Sequence, residues 1–88
     1  MSKVNTIELA VNGQALIFEP NTTAYNKFIN EMSMDNKLAP ANNYLRRIVA
    51  TDSKAALDEI LDIPGAALQL AAAVNDKYAP KLEIELKN

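Results

Sequence analysis

The sequence contains no cysteine, no histidine and no tryptophan, and it has only two glycines. The absence of cysteine and histidine excludes disulfide bonds, thiolate nucleophiles, imidazole bases and the usual zinc and haem ligands. Its serines (Ser2, Ser33 and Ser53) therefore have no histidine to activate them. Two glycines are too few for a glycine-rich phosphate-binding loop. We expect a protein that is not an enzyme and that uses no cofactor and no metal ion.

The remaining composition is that of one small folded domain, which we assign to residues 1–88. Hydrophobic residues make up 49% of the chain and charged residues 23%. The formal net charge of −2 disfavours nucleic acid as a partner, because nucleic-acid-binding domains normally carry a basic patch. Residues 51–88 hold four basic and seven acidic groups, a mild excess that favours a basic partner.

No apolar run is long enough to cross a membrane, which takes about 18 residues. The first residues also lack the apolar core of a secretory signal. We therefore expect a cytoplasmic protein without a membrane partner.

The beginning of the chain is typical of a β-hairpin. Ile7, Leu9 and Val11 alternate with polar or small residues, and Asn12-Gly13 then favours a two-residue type I′ turn. A turn of this kind pairs Val11 with Gln14, Leu9 with Leu16, and Ile7 with Phe18. The last two pairs are expected to face the core. Ile17 falls on the other face, opposite Glu8.

Two amphipathic helices are predicted next. The first begins at a cap, Asn21 or Thr22. Its apolar stripe is predicted to contain Tyr25, Phe28, Ile29 and Met32. The second has Pro40 in its first turn. Its inner face is predicted to contain Tyr44, Leu45, Ile48 and Val49, with Arg46 and Arg47 pointing outward.

A third helix is predicted after the capping residues Asp52-Ser53, and its outer side is acidic. Asp58 and Asp62 lie one helical turn apart. Three roles are open to them: a solvated face, a docking surface for a basic partner, and a cation site. The cation site is the weakest of these, because two carboxylates without further oxygen ligands bind hard cations poorly.

The segment Ile63-Pro64-Gly65 is predicted to end the third helix and to start a fourth, because proline is tolerated in the first turn of a helix. The fourth helix then continues from Ala66 to about Tyr78. Its inner stripe is Ala67, Leu70, Ala71, Val74 and Tyr78. The reverse side is also apolar at Leu68, Ala72 and Ala73. Such a helix either runs through the centre of the domain or docks one flank on a partner.

Residues 81–87 alternate between apolar and charged side chains, as in a half-buried strand. Their natural place is beside the hairpin, because a two-stranded ribbon is only marginally stable. The predicted fold is α+β: the N-terminal β-hairpin and the C-terminal strand form a small three-stranded sheet, with about four short helices packed on one face.

The sequence resembles the small tail assembly chaperones of long-tailed bacteriophages and prophages. The resemblance rests on the hairpin through Asn12-Gly13 (residues 7–18), on residues 23–30, on the helical region 57–74 with Pro64-Gly65, and on residues 78–85. It is carried by structural signatures rather than by a catalytic motif.

The resemblance implies a non-catalytic role in virion assembly. Such proteins bind the tape measure protein in the bacterial host cytoplasm, keep it soluble until tail tube subunits polymerise around it, and are absent from the mature virion. Its implied partners are the tape measure protein and, as a second candidate, the tail tube protein, with self-association also open. The alternative function is a homo-oligomeric structural or adaptor module of phage or prophage origin without chaperone activity.

Helix-in-groove docking needs an apolar strip with a charged rim. The surplus apolar surface of the fourth helix suggests where that strip lies. Our candidate partner-binding residues are Leu68, Ala72 and Ala73, bordered by Asp58 and Asp62.

Overall fold

The computed structural model describes residues 6–79. Its elements are β1 (Ile7–Val11), β2 (Gln14–Phe18), α1 (Thr22–Glu31), α2 (Leu38–Ile48), a 3-10 turn (Thr51–Ser53), α3 (Lys54–Leu61) and α4 (Ala66–Tyr78). Over this part of the chain the fold is α+β, with a two-stranded antiparallel sheet and four helices. The strand predicted at residues 81–87 lies outside the described residues.

The hairpin has the predicted register. Ile7 pairs with Phe18 and Leu9 with Leu16. Both turn residues have positive φ, 52° at Asn12 and 84° at Gly13, as the type I′ turn requires. Ile7, Leu16 and Phe18 are buried, and Leu9 packs against them. The predicted core face of the hairpin is thus confirmed.

As predicted, the helix α1 is capped by Asn21, whose side chain accepts a hydrogen bond from the Ala24 N–H at 2.8 Å. Ala24 and Phe28 are its buried residues. The prediction that Ile29 faces the core was wrong, because this side chain is 42% exposed. The buried stripe is centred one position earlier in the helix, on Ala24 and Phe28.

The helix α2 lies between α1 and α4 and contacts both. Pro40 is in its first turn, as predicted, and Tyr44, Leu45 and Ile48 are buried. Val49 follows the helix as its C-cap and is half-buried. Because α2 is central, it supplies much of the core that the flanking helices cover.

The segment after α2 covers the outer edge of β2. The Glu19 N–H donates to the Ile48 carbonyl at 2.6 Å, and the Ala50 N–H donates to the Ile17 carbonyl at 2.8 Å. Ser53 makes a third contact, accepting a hydrogen bond from the Ile17 N–H. Ser53 occupies the N-cap position of α3, as predicted, but its hydroxyl bonds to the sheet and makes no cap hydrogen bond to the helix.

The chain turns sharply between α3 and α4 at Gly65, which adopts a left-handed conformation with φ 80°. The helix α4 begins at Ala66, so the prediction that Pro64 occupies its first turn was wrong. The positive φ at Gly65 separates the proline from the helix.

The helix α4 buries its predicted inner stripe at Ala67, Leu70, Ala71 and Val74, while Tyr78 is half-buried. It does not run through the centre of the domain, because its opposite side faces solvent. The first of the two arrangements considered for this helix is thus excluded. The described core consists of Ile7, Leu16, Phe18, Ala24, Phe28, Ala41, Tyr44, Leu45, Ile48, Leu57, Ile60, Ala66, Ala67, Leu70, Ala71 and Val74.

Candidate functional site

The outer surface of α4 has the apolar residues that were singled out as a docking strip. Leu68 is 40% exposed, and Ala72 and Ala73 are exposed. Leu68 and Ala72 are one turn apart and lie on the same side of the helix. Ala73 lies about 100° further around it, with the polar residues Gln69 and Asp76 at intermediate angles. The continuous strip is therefore Leu68 with Ala72, and Ala73 is separated from it.

The two predicted rim residues, Asp58 and Asp62, have different surroundings. The Asp58 carboxylate forms an ion pair with the Arg46 guanidinium of α2. Asp62 is the exposed C-cap of α3. The charge of Asp58 is thus compensated from α2, which leaves Asp62 as the rim residue without an ion pair among residues 6–79. Sequence reasoning placed Arg46 and Asp58 on separate solvated faces and missed their pairing.

A first surface cleft lies between α2 and α3 and has a volume of about 210 Å³. Its lining combines the ion pair with a lysine and two apolar side chains, namely Arg46, Val49, Lys54, Leu57 and Asp58. Arg46 and Lys54 outnumber Asp58, so the lining has a net positive charge, which disfavours a basic partner.

A second cleft, which we call the turn groove, lies between the hairpin turn and the α3–α4 junction. It has a volume of about 220 Å³ and is lined by Val11, Asn12, Ile60, Ile63, Ala66, Gln69 and Leu70. Sequence reasoning missed it, because Ile63 was interpreted only as part of a helix break. Ile63 is 44% exposed, and an apolar residue next to a Pro-Gly break was the available signal.

Aromatic side chains join α1, α2 and α4 at one corner of the domain. The rings of Phe28 and Tyr44 stack at 4.7 Å, and Tyr25 lies 6.3 Å from Tyr44 and 6.0 Å from Tyr78. The Tyr44 hydroxyl donates to Asn75 Oδ1 at 2.7 Å. Burial, with smaller contributions from Tyr78 and Tyr25, raises the pKa of Tyr44 to about 12. At neutral pH this phenol is a structural hydrogen-bond donor.

Metal-binding clusters, unsatisfied buried polar side chains and membrane-spanning helices are not found among residues 6–79. Across residues 6–79 no group of three or more acidic side chains is arranged to hold a metal ion. No buried side-chain polar atom of that same region lacks a hydrogen-bond partner. None of the helices between residues 6 and 79 has the length and apolar character needed to cross a membrane.

These features of residues 6–79 define a small α+β module with an exposed apolar helix face and the clefts described above as candidate sites. The family described as phage tail assembly chaperone matches residues 7–88. The chain therefore belongs to the phage tail assembly chaperone family, and the resemblance noted in its sequence is confirmed.

A relative comes from Haemophilus phage HP1 (strain HP1c1), an uncharacterized 11.3 kDa protein in the lys 3′ region. It is 38% identical to this chain over 84 residues, which cover 96% of this chain and 82% of the relative. No solved structure gives a significant match.

Proposed function

We propose that this protein is a non-catalytic tail assembly chaperone that binds the phage tape measure protein and keeps it soluble for tail tube assembly. The observation that carries the proposal is the exposed apolar face of α4, formed by Leu68 and Ala72, in a member of this family. An amphipathic helix of the partner would place its own apolar stripe on this face.

The small size of Ala72 suits this contact, since it allows a second helix to approach closely. Leu68 provides the larger apolar area. Full burial of a leucine side chain contributes about 2 kcal/mol, and Leu68 is already partly covered by its own chain. The binding free energy from Leu68 alone is therefore small, which is consistent with a chaperone that dissociates when the tail tube forms.

The same proposal places the protein in the bacterial host cytoplasm during assembly and outside the mature virion. The tail tube protein is a second candidate partner, because its subunits must displace the chaperone from the tape measure protein. Asp62 remains a candidate rim residue, while Asp58 contributes less because Arg46 compensates its charge.

Co-expression with the tape measure protein of the same phage tests the proposal. The wild-type chain is expected to increase the soluble fraction of the tape measure protein and to co-purify with it. The double variant Leu68→Asp, Ala72→Asp is expected to lose at least three quarters of this recovery. Ala39→Asp with Asn43→Asp is the matched control, because it introduces acids at two exposed positions of α2 that are also one turn apart.

A wild-type chain that neither solubilises nor binds the tape measure protein would refute the proposed function. If the chain binds and both double variants bind equally well, the function stands and the α4 face is not the contact. Circular dichroism of each variant establishes that it is folded.

A homo-oligomeric structural or adaptor module is the second candidate function. Ile29, Met34 and Leu38 favour it, because these exposed apolar side chains lie at or near the α1–α2 connection. Sedimentation at micromolar concentration, together with the tape measure binding assay, distinguishes the two functions in part. A monomer without tape measure binding would exclude both, whereas an oligomer without tape measure binding would favour the adaptor module.

A further inference from the structure

We propose that the turn groove receives an apolar side chain from a partner helix and that lysine or arginine residues flank that side chain. This inference rests on the proposed function, and it gives the chemistry of the segment recognised: a basic amphipathic helix of the tape measure protein. It also assigns the anchoring contact to the turn groove, with the α4 face as a neighbouring contact.

The shape of the turn groove suits a single anchoring side chain. Its volume of about 220 Å³ is below the usual range for small-molecule pockets, about 300–1,000 Å³. Its walls are mostly apolar, and Ile63 and Val11 are only partly covered by their own chain. Such a groove favours an aliphatic side chain inserted from another polypeptide.

The charge around the turn groove favours a basic partner. The residues that line it lie within positions 11–12 and 60–70, and these positions contain no lysine and no arginine. Glu59 and Asp62 are exposed at the end of α3, next to the wall residues Ile60 and Ile63. The two ion pairs within residues 6–79 use Asp58 and Glu31 instead.

Helix dipoles do not reverse this charge preference. The C-terminal end of α3 and the N-terminal end of α4 meet at the junction, so their partial charges of about half a unit and opposite sign offset one another. The carboxylates of Glu59 and Asp62 are the charged groups nearest in sequence to the wall residues Ile60 and Ile63. Their effect extends about 8 Å at physiological salt, which is sufficient for residues one turn from the inserted anchor.

The other surfaces of the described chain fit such a partner less well. The α2–α3 cleft contains Arg46 and Lys54, which would repel a basic helix. The α4 face is the outer side of a helix and offers the contact area of Leu68 and Ala72. The turn groove combines a recess, an apolar lining and an acidic edge.

Two double variants that change the net charge by the same amount test whether the acidic edge of the turn groove is needed for binding. Glu59→Lys with Asp62→Lys reverses the acidic edge, and Asp35→Lys with Asp52→Lys makes the same change at exposed positions outside the elements that line the groove. At physiological salt, the first pair is expected to reduce recovery of co-expressed tape measure protein at least tenfold. The control pair is expected to change it less than threefold. Equal effects of the two pairs would overturn the inference.

Site-specific photocrosslinking identifies the occupant. Ile63→p-benzoylphenylalanine and Leu68→p-benzoylphenylalanine place the crosslinker in the turn groove and on the α4 face, in the full chain co-expressed with the tape measure protein. A crosslink from position 63 to a tape measure segment with lysine or arginine within one turn supports the inference.

The remaining outcomes distinguish its failure from that of the proposed function. A tape measure crosslink from position 68 alone retains the function and overturns the turn groove as the anchor. A crosslink from position 63 to the same chain, or to a second copy, also overturns it. The absence of tape measure crosslinks from both positions, together with no co-purification of the wild-type chain, refutes the function itself.

Discussion

The Ile17 backbone N–H donates a hydrogen bond of 3.0 Å to Ser53 Oγ, across 36 positions of sequence. This bond ties β2 to the turn that precedes α3. With the two backbone bonds from Glu19 and Ala50, it satisfies outward-facing groups of β2 that would otherwise form an open strand edge. A short two-stranded sheet thus obtains part of its stability from a non-strand segment.

Replacing Ser53 by alanine is expected to lower the free energy of unfolding by about 1–3 kcal/mol, because the Ile17 N–H loses its acceptor in a partly buried position. Ser53 itself is only 4% exposed, so water cannot readily substitute for the hydroxyl. Urea denaturation of Ser53→Ala measures the change. Ser33→Ala in the exposed α1–α2 connection is the control and should differ from wild type by less than about 0.5 kcal/mol. Equal stabilities of the two variants would contradict the assigned role of Ser53.

Local patterns in the sequence predicted the strands and helices well. They failed for side chains whose partners lie far away in the sequence. The Asn12-Gly13 turn determines the hairpin register, and the break at Gly65 separates two helices. A serine before a helix usually caps it, so the sequence could not indicate that Ser53 bonds to β2. Nor could it show that Asp58 meets Arg46, because that contact depends on how α2 and α3 pack.

The candidate site was predictable only in part for the same reason. A helix that is apolar nearly all round predicted surplus surface on α4, and the exposure of Leu68 agrees with it. The turn groove needs the hairpin, α3 and α4 to meet in space. No local pattern contains that information.

Tyr44 is expected to make stability fall with pH in the alkaline range. The pKa of Tyr44 is raised from 10.0 to about 12 in the folded protein. Between these values the unfolded chain releases the Tyr44 proton while the folded chain keeps it. The contribution of this group is therefore complete below about pH 10 and decreases by up to about 1.4 kcal/mol per pH unit above it.

Tyr44→Phe tests this pH dependence, because it keeps the ring but removes the titrating hydroxyl. The variant should be less stable at neutral pH by about 1 kcal/mol, since it loses the hydrogen bond to Asn75. The difference from wild type should shrink in urea denaturation at about pH 11. A constant difference from neutral to alkaline pH would show that the pKa of Tyr44 is not raised by folding.

Gly65→Ala is expected to destabilise the protein by about 1–2 kcal/mol through backbone strain. Gly65 has a φ of 80°, and a Cβ atom there would approach only the Gln69 Nε2 atom, at an ordinary 3.8 Å. The cost is therefore conformational rather than steric. Gly65→Asn should be tolerated better, because asparagine adopts the left-handed region more readily. If the two variants have equal melting temperatures, the strain explanation is wrong.

The Arg46–Asp58 ion pair is expected to contribute less than about 0.5 kcal/mol to stability, since exposed pairs are screened by solvent and must order two long side chains. The two side chains are 52% and 59% exposed. A double-mutant cycle with Arg46→Ala and Asp58→Ala isolates the coupling between them. The Arg47–Glu31 pair, separated by 3.7 Å, provides the comparison cycle at similarly charged positions. Both coupling energies should decrease with added salt. An Arg46–Asp58 coupling above about 1.5 kcal/mol that persists at high salt would contradict the assignment of this pair to a solvated surface.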